Sequence, residues 1–126
     1  MIISIDQLVG FVLCYNPNRI QLGLAATAEK AGLKQYRLKQ IESGKGQLCV
    51  WELIRLSDAL DCSPGGIIAQ AQTLAGKIKT HSERADWSEA VEVRLEPLCR
   101  IPQDQKPRRT QLERWVARIA IGGDTA

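Results

Sequence analysis

Histidine occurs once, at position 81, and none of the four cysteines (Cys14, Cys49, Cys62, Cys99) stands in a CxxC pair. Zinc sites draw on closely spaced ligands of these two types, so a metal site is not expected, nor is any cofactor. The cysteines read instead as small apolar side chains in a reducing compartment. No apolar run approaches the roughly 20 residues needed to span a bilayer, so no membrane association is expected. The opening MIISIDQLVGFVLCY lacks both the basic start and the small-residue cleavage site of a secretory signal. The chain therefore reads as cytoplasmic. A glycine-rich phosphate loop is missing, as is any histidine placed beside a nucleophile, which leaves no basis for an enzyme. Internal repeats and low-complexity tracts are absent too.

Net charge is also small, +3 over 126 residues, so composition alone does not announce an acidic partner. Its distribution says more. Between positions 30 and 46 five basic residues (Lys30, Lys34, Arg37, Lys39, Lys45) accompany a single acid, Glu42. A local excess of this kind is the electrostatic footprint a phosphate backbone requires.

What the chain has in quantity is helical period. Ser4 and Gln7 have the spacing of a capping box and precede Leu8, Val9, Val12, Leu13 and Tyr15, until Asn16-Pro17 interrupts the pattern. Residues 24–31 are alanine-rich and favour a second helix, with Gly32 placed to stop it. A third helix is expected over 35–42, ended by Ser43-Gly44-Lys45-Gly46. A fourth, over 50–60, directs Val50, Leu53, Ile54, Leu56 and Leu60 toward a core. Ser63-Pro64 then supplies an N-cap and a first-turn proline for a fifth helix bearing Ile67, Ile68, Ala71 and Leu74. Five short helices in residues 1–75 predict an all-α domain.

Residues 76–126 form a C-terminal extension of mostly helical character. Over 86–101, Trp87, Val91, Leu95 and Leu98 share one helical face, whereas Val91, Val93 and Leu95 also alternate as in a strand. Helix is preferred, because Ser88-Glu89 resembles a helix start. The polar residues 76–86 read as a helix extension or linker, in which the lone His81 is given no role, and residues 102–109 read as an exposed linker. Thr110 and Glu113 fit a further capping box, ahead of the apolar stripe Leu112, Trp115, Val116, Ile119 and Ala120.

The stretch AEKAGLKQYRLKQIESGKG, residues 28–46, carries the chemistry. Two short helices cross steeply only where their contact is small and the turn tight. Ala28 is small enough for close approach, and Gly32 admits a left-handed turn. Leu33, Leu38 and Ile41 are positioned to bury one face of the third helix, leaving Lys34, Gln35, Tyr36, Arg37, Lys39 and Gln40 outward. This is the pattern of a helix-turn-helix, whose second helix enters the major groove of DNA.

With Ala28 and Gly32, then Leu38, Ile41, Glu42 and Gly44 as L-x-x-I-E-x-G, then Leu53, Leu56, Ala59, Leu60, Ser63 and Ile67, the chain resembles the lambda-repressor-like, or XRE-type, helix-turn-helix family over roughly residues 4–75. Cys14 stands where the family commonly carries an arginine on its first helix, which removes the expected partner of Glu42. Gly23-Leu24 replaces the usual polar opening of the second helix, and Lys34 the usual Ser or Thr capping the third. The resemblance implies a five-helix DNA-binding domain and double-stranded DNA as partner. It implies base contacts from Gln35, Tyr36, Lys39 and Gln40, and phosphate contacts from Lys34, Arg37 and Lys45, helped by backbone N–H groups around Gly44 and Gly46. Trp51 is expected to pack in a core or domain interface.

One such unit reads half a site, so a homodimer on an inverted repeat is expected. The apolar residues Trp87, Val91, Leu95, Leu112, Trp115, Val116 and Ile119 are the expected dimer or partner interface; packing back on the monomer's own core and forming a small effector pocket are competing uses. The function expected is a sequence-specific transcriptional regulator, acting as a repressor. The alternative is an antitoxin or anti-activator whose C-terminal region binds another protein.

Overall fold

Several helix starts in this chain are set by side-chain oxygens. In the computed structural model, which describes residues 1–82, 91–94, 101 and 103–121, α1 (Ile5–Cys14) begins at Ser4. The Ser4 hydroxyl accepts the Asp6 N–H at 3.1 Å, and Gln7 Oε1 accepts the Ser4 N–H at 3.1 Å. This is the capping box expected there.

Asn16 then opens a helix that the sequence reading did not foresee, α2 (Pro17–Leu22). The Asn16 carboxamide oxygen accepts the N–H groups of Asn18 and Arg19, and Pro17 takes the first helical position, where a missing N–H is harmless. The dipeptide that interrupts α1 is thus also a start signal. α3 (Leu24–Ala31) ends at Gly32, whose φ of 71° and ψ of 30° are left-handed. The Leu33 N–H returns to the Ala28 carbonyl at 2.8 Å and closes the turn. After α4 (Gln35–Glu42) come α5 (Val50–Ala59) and α6 (Pro64–Ser82), the last begun by Ser63 Oγ accepting the Gly66 N–H at 3.0 Å.

Beyond position 75, α6 continues unbroken to Ser82, which is the helix-extension reading of that polar stretch. His81 is accordingly not in a linker but buried in the last turn of α6. Within the stretch for which helix was preferred, residues 92–94 form a strand. β1 (Ile2–Ser4) pairs in parallel with β2 (Glu92–Arg94), in the register Ile2–Glu92, Ile3–Val93 and Ser4–Arg94. The edge of β1 supplies backbone hydrogen-bonding partners that outweigh the local helical period. Trp87, Leu95 and Leu98 lie outside the described residues.

A short 3-10 turn at Gln103–Gln105 is followed by α7 (Arg109–Ile121). It starts one residue before Thr110, and Gln111 Oε1, accepting the Arg108 N–H at 2.9 Å, does the work assigned to a Thr110/Glu113 box. Glu113 instead accepts the Tyr15 hydroxyl at 2.8 Å.

One apolar cluster runs from Ile3 through α1, α3, α4, α5 and α6 to Leu112, Trp115 and Ile119 of α7. α1 lies at its centre, packing most extensively on α6 and also on α4. The α7 stripe was expected to form a dimer or partner interface. Leu112, Trp115 and Ile119 are instead buried inside the chain, with Val116 and Val91 half-buried against the same core. The amphipathic helix found its apolar surface in its own chain. Val50, Trp51 and Ile54, by contrast, are exposed rather than packed in a core. No described helix is long and apolar enough to cross a membrane.

Candidate nucleic-acid interface

The inner face of α4 is held by apolar burial. Leu38 and Ile41 are buried, and Gly10 of α1 lies directly under the end of the helix. A β-carbon at Gly10 would stand 2.1 Å from the Ile41 carbonyl oxygen, so the two helices approach as only glycine permits.

Both ends of α4 are pinned by ion pairs. At its end, Glu42 receives the guanidinium of Arg19 from α2, through Nε to Oε2 and through Nη2 to Oε1 at 2.8 Å. The arginine partner that Cys14 does not provide therefore comes from the unforeseen helix. Near its start, Arg37 makes the same two-pronged contact with Glu52 of α5, at 2.7 and 2.8 Å, and also donates to the Gln47 carbonyl. Arg37 was expected to meet phosphate. Its guanidinium is committed instead to bracing α4 against α5 and the intervening loop. Forked pairs of this kind fix orientation as well as distance.

Glu52 is the more buried member, its side chain 3% exposed. Hydrogen bonding to Arg37, aided by the Cys49 N–H, outweighs burial and holds its carboxyl below the ordinary range; the Arg37 guanidinium is pushed up in turn. A carboxylate depressed on folding contributes stability that is complete above the unfolded value, near 4.5, and is lost as pH falls through the folded one. Acid unfolding followed by circular dichroism should show this loss below about pH 4 in the wild type. Glu52→Gln should start less stable at neutral pH and show a flatter acid limb.

On the outer face the assignments separate. Lys34, Gln35, Tyr36 and Lys39 are exposed, Tyr36 at 66%, and the side chains of Lys34, Gln35 and Lys39 make no hydrogen bond or ion pair with the described residues. Gln40 is half-buried, accepting a long 3.5 Å contact from Arg37. Tyr36, Lys39, Gln40 and Lys45 come together along a shallow cleft of about 730 Å³, whose other wall includes Leu24. Lys34 and Gln35, at the very start of the helix, do not line it. The backbone N–H groups of Gly44, Lys45 and Gly46 turn back to the Ile41 and Gln40 carbonyls, so they are not donors to phosphate as expected.

Lys34 occupies the N-cap of α4 in an extended conformation, φ −73° and ψ 143°, with no side-chain capping bond. A lysine there forfeits about 1 kcal/mol and places positive charge at the positive end of the helix dipole. Lys34→Ser should raise the unfolding free energy by that amount, read from urea denaturation, while weakening duplex binding, since a nearby phosphate is what favours the lysine.

Three residues of this arrangement escaped sequence reasoning: Gly10, Arg19 and Glu52. Among the described residues no cluster of His, Cys, Asp or Glu is arranged to hold a metal ion. On α5, Trp51 is exposed and the Arg55 guanidinium lies 5.0 Å from its ring centroid. Compared with known proteins, the chain matches no family model, no characterised protein and no solved structure.

Proposed function

We propose that the chain is a sequence-specific DNA-binding regulator of helix-turn-helix type, a repressor that binds an inverted-repeat operator as a homodimer. One observation carries this reading. α4 is held near both ends by ion pairs and from below by Gly10, while its outward side presents Lys34, Gln35, Tyr36 and Lys39, exposed and with no side-chain hydrogen bond or ion pair to the described residues. A rigid helix offering amide and ammonium groups suits the major groove, where glutamine pairs with adenine and lysine with guanine or the backbone. Occupancy of promoter DNA suffices for repression, whereas activation needs a further surface for polymerase.

Selection of bound fragments from random duplex DNA tests it. Wild type should enrich a two-fold symmetric motif. Gln35→Ala should relax one position in each half-site, with a discrimination loss of about 1–3 kcal/mol, and Lys39→Ala should weaken binding. Failure of the wild type to enrich any motif overturns the proposal.

A second reading rests on α5. Val50, Trp51 and Ile54 share one exposed helical face, which suits a protein surface better than water. On that reading the chain is an antitoxin or anti-activator type of protein, and an unlike subunit co-purifies with it from native cells.

A further inference from the structure

A second cleft, of about 900 Å³, lies where the segment before α7 packs beside the loop after α4. Ser43, Gly44 and Lys45 form one side, and Lys106, Arg108 and Arg114 supply charge from the other, with Asp104 the lone acid in the lining. We propose that this cleft holds a stretch of the DNA phosphodiester backbone, so that the C-terminal segment clamps the duplex beside the bases read by α4. The inference rests on the DNA-binding reading above and extends it to residues outside the helix pair.

Three observations support it. First, four cations from separate parts of the chain gather here, and Lys45, Lys106, Arg108 and Arg114 make no ion pair with any described residue. Among the described residues lining the cleft only Asp104 offsets their mutual repulsion, so an entering anion is strongly favoured. Second, the segment is anchored rather than a loose linker. Pro107 is buried, and the Arg108 N–H is tied to Gln111, so Lys106 and Arg108 are presented from a fixed backbone. Third, Ser43 and Lys45 line both this cleft and the one along α4, which makes the two a continuous track. A free phosphate needs cations converging on one point; a track whose charges come from α4's loop, the lead-in to α7 and α7 itself matches a polymer of phosphates.

The test uses the whole 126-residue chain and a mixed-sequence duplex of about 30 base pairs, with affinity measured across salt concentrations. Each phosphate neutralised contributes about 0.9 to the slope of log affinity against log salt. Lys106→Gln/Arg108→Gln/Arg114→Gln should lower that slope by about 2–3, and Arg108→Gln alone by about 1. Lys79→Gln removes a charge from an exposed site on α6 that lines neither cleft, and should leave the slope unchanged. Circular dichroism confirms folding of each variant. An unchanged slope in the folded triple variant overturns the clamp and leaves the role of α4 standing. Charge-dependent binding of inorganic triphosphate by the free protein, with the duplex slope unchanged, likewise overturns it in favour of a small anion. Absence of any duplex binding by the wild type at low salt overturns both.

Discussion

Gly10→Ala should destabilise the protein by at least about 2 kcal/mol, while Gly76→Ala should stabilise it by about 0.5–1 kcal/mol. Both glycines lie inside helices, where alanine is intrinsically favoured by nearly 1 kcal/mol. The environments reverse the sign. At Gly76 an added methyl meets nothing within 4 Å. At Gly10 it meets the Ile41 carbonyl oxygen at 2.1 Å and the carbonyl carbon at 3.1 Å, atoms of the α4 backbone that no side-chain rotation can clear. Relief requires α1 and α4 to separate, loosening Leu38 and Ile41 and displacing the outward side chains with them. Urea denaturation of the two variants measures the contrast. Equal and positive shifts for both would show that α1 and α4 do not approach so closely.

Removing Arg19 should be the costlier side-chain change. The Glu42 side chain is 5% exposed and that of Arg19 14%, so the pair is largely out of water. Arg19→Met leaves a charged carboxylate buried without its partner, a loss of about 3–5 kcal/mol. Total stabilities of small domains run to about 5–15 kcal/mol, so the single variant should be close to unfolding at 37 °C. The double variant Arg19→Met/Glu42→Met removes both charges and should recover most of the loss, because the attraction in such a pair largely offsets its desolvation. A double-mutant cycle read from urea midpoints checks this. Additive losses, with no recovery, would mean that Arg19 acts through packing alone.

These two residues also mark where sequence reasoning stopped. Ala28, Gly32, Leu38 and Ile41 were readable because their requirements are local: a small contact, a left-handed turn, a helical stripe. The same holds for Ser4 with Gln7 and for Ser63 with Pro64. Gly10 carries no such mark, since its necessity arises only when α1 is laid across α4, and glycine within an amphipathic helix otherwise suggests nothing more than tolerance. Arg19 did have a local signal. Asn16-Pro17 is a capping residue followed by a first-turn proline, and taking it solely as a break hid the helix that delivers the guanidinium. Outward positions of α4 were legible from periodicity, but Arg37 was not, because its partner Glu52 lies across a loop. The α7 stripe was read as apolar, as it is. Periodicity says that a face needs cover and is silent on whether the cover comes from the same chain.

The parallel ribbon joining Ile2–Ser4 to Glu92–Arg94 imposes an order of assembly. During synthesis the amino-terminal strand emerges first, yet its mate follows only after six helices, and Trp115 later still. Helices form quickly from near neighbours, whereas joining distant segments is slow. The nascent polypeptide therefore carries an unpaired strand edge until β2 emerges and an unfinished core until α7 does, the interval in which it is most open to aggregation and to chaperone capture.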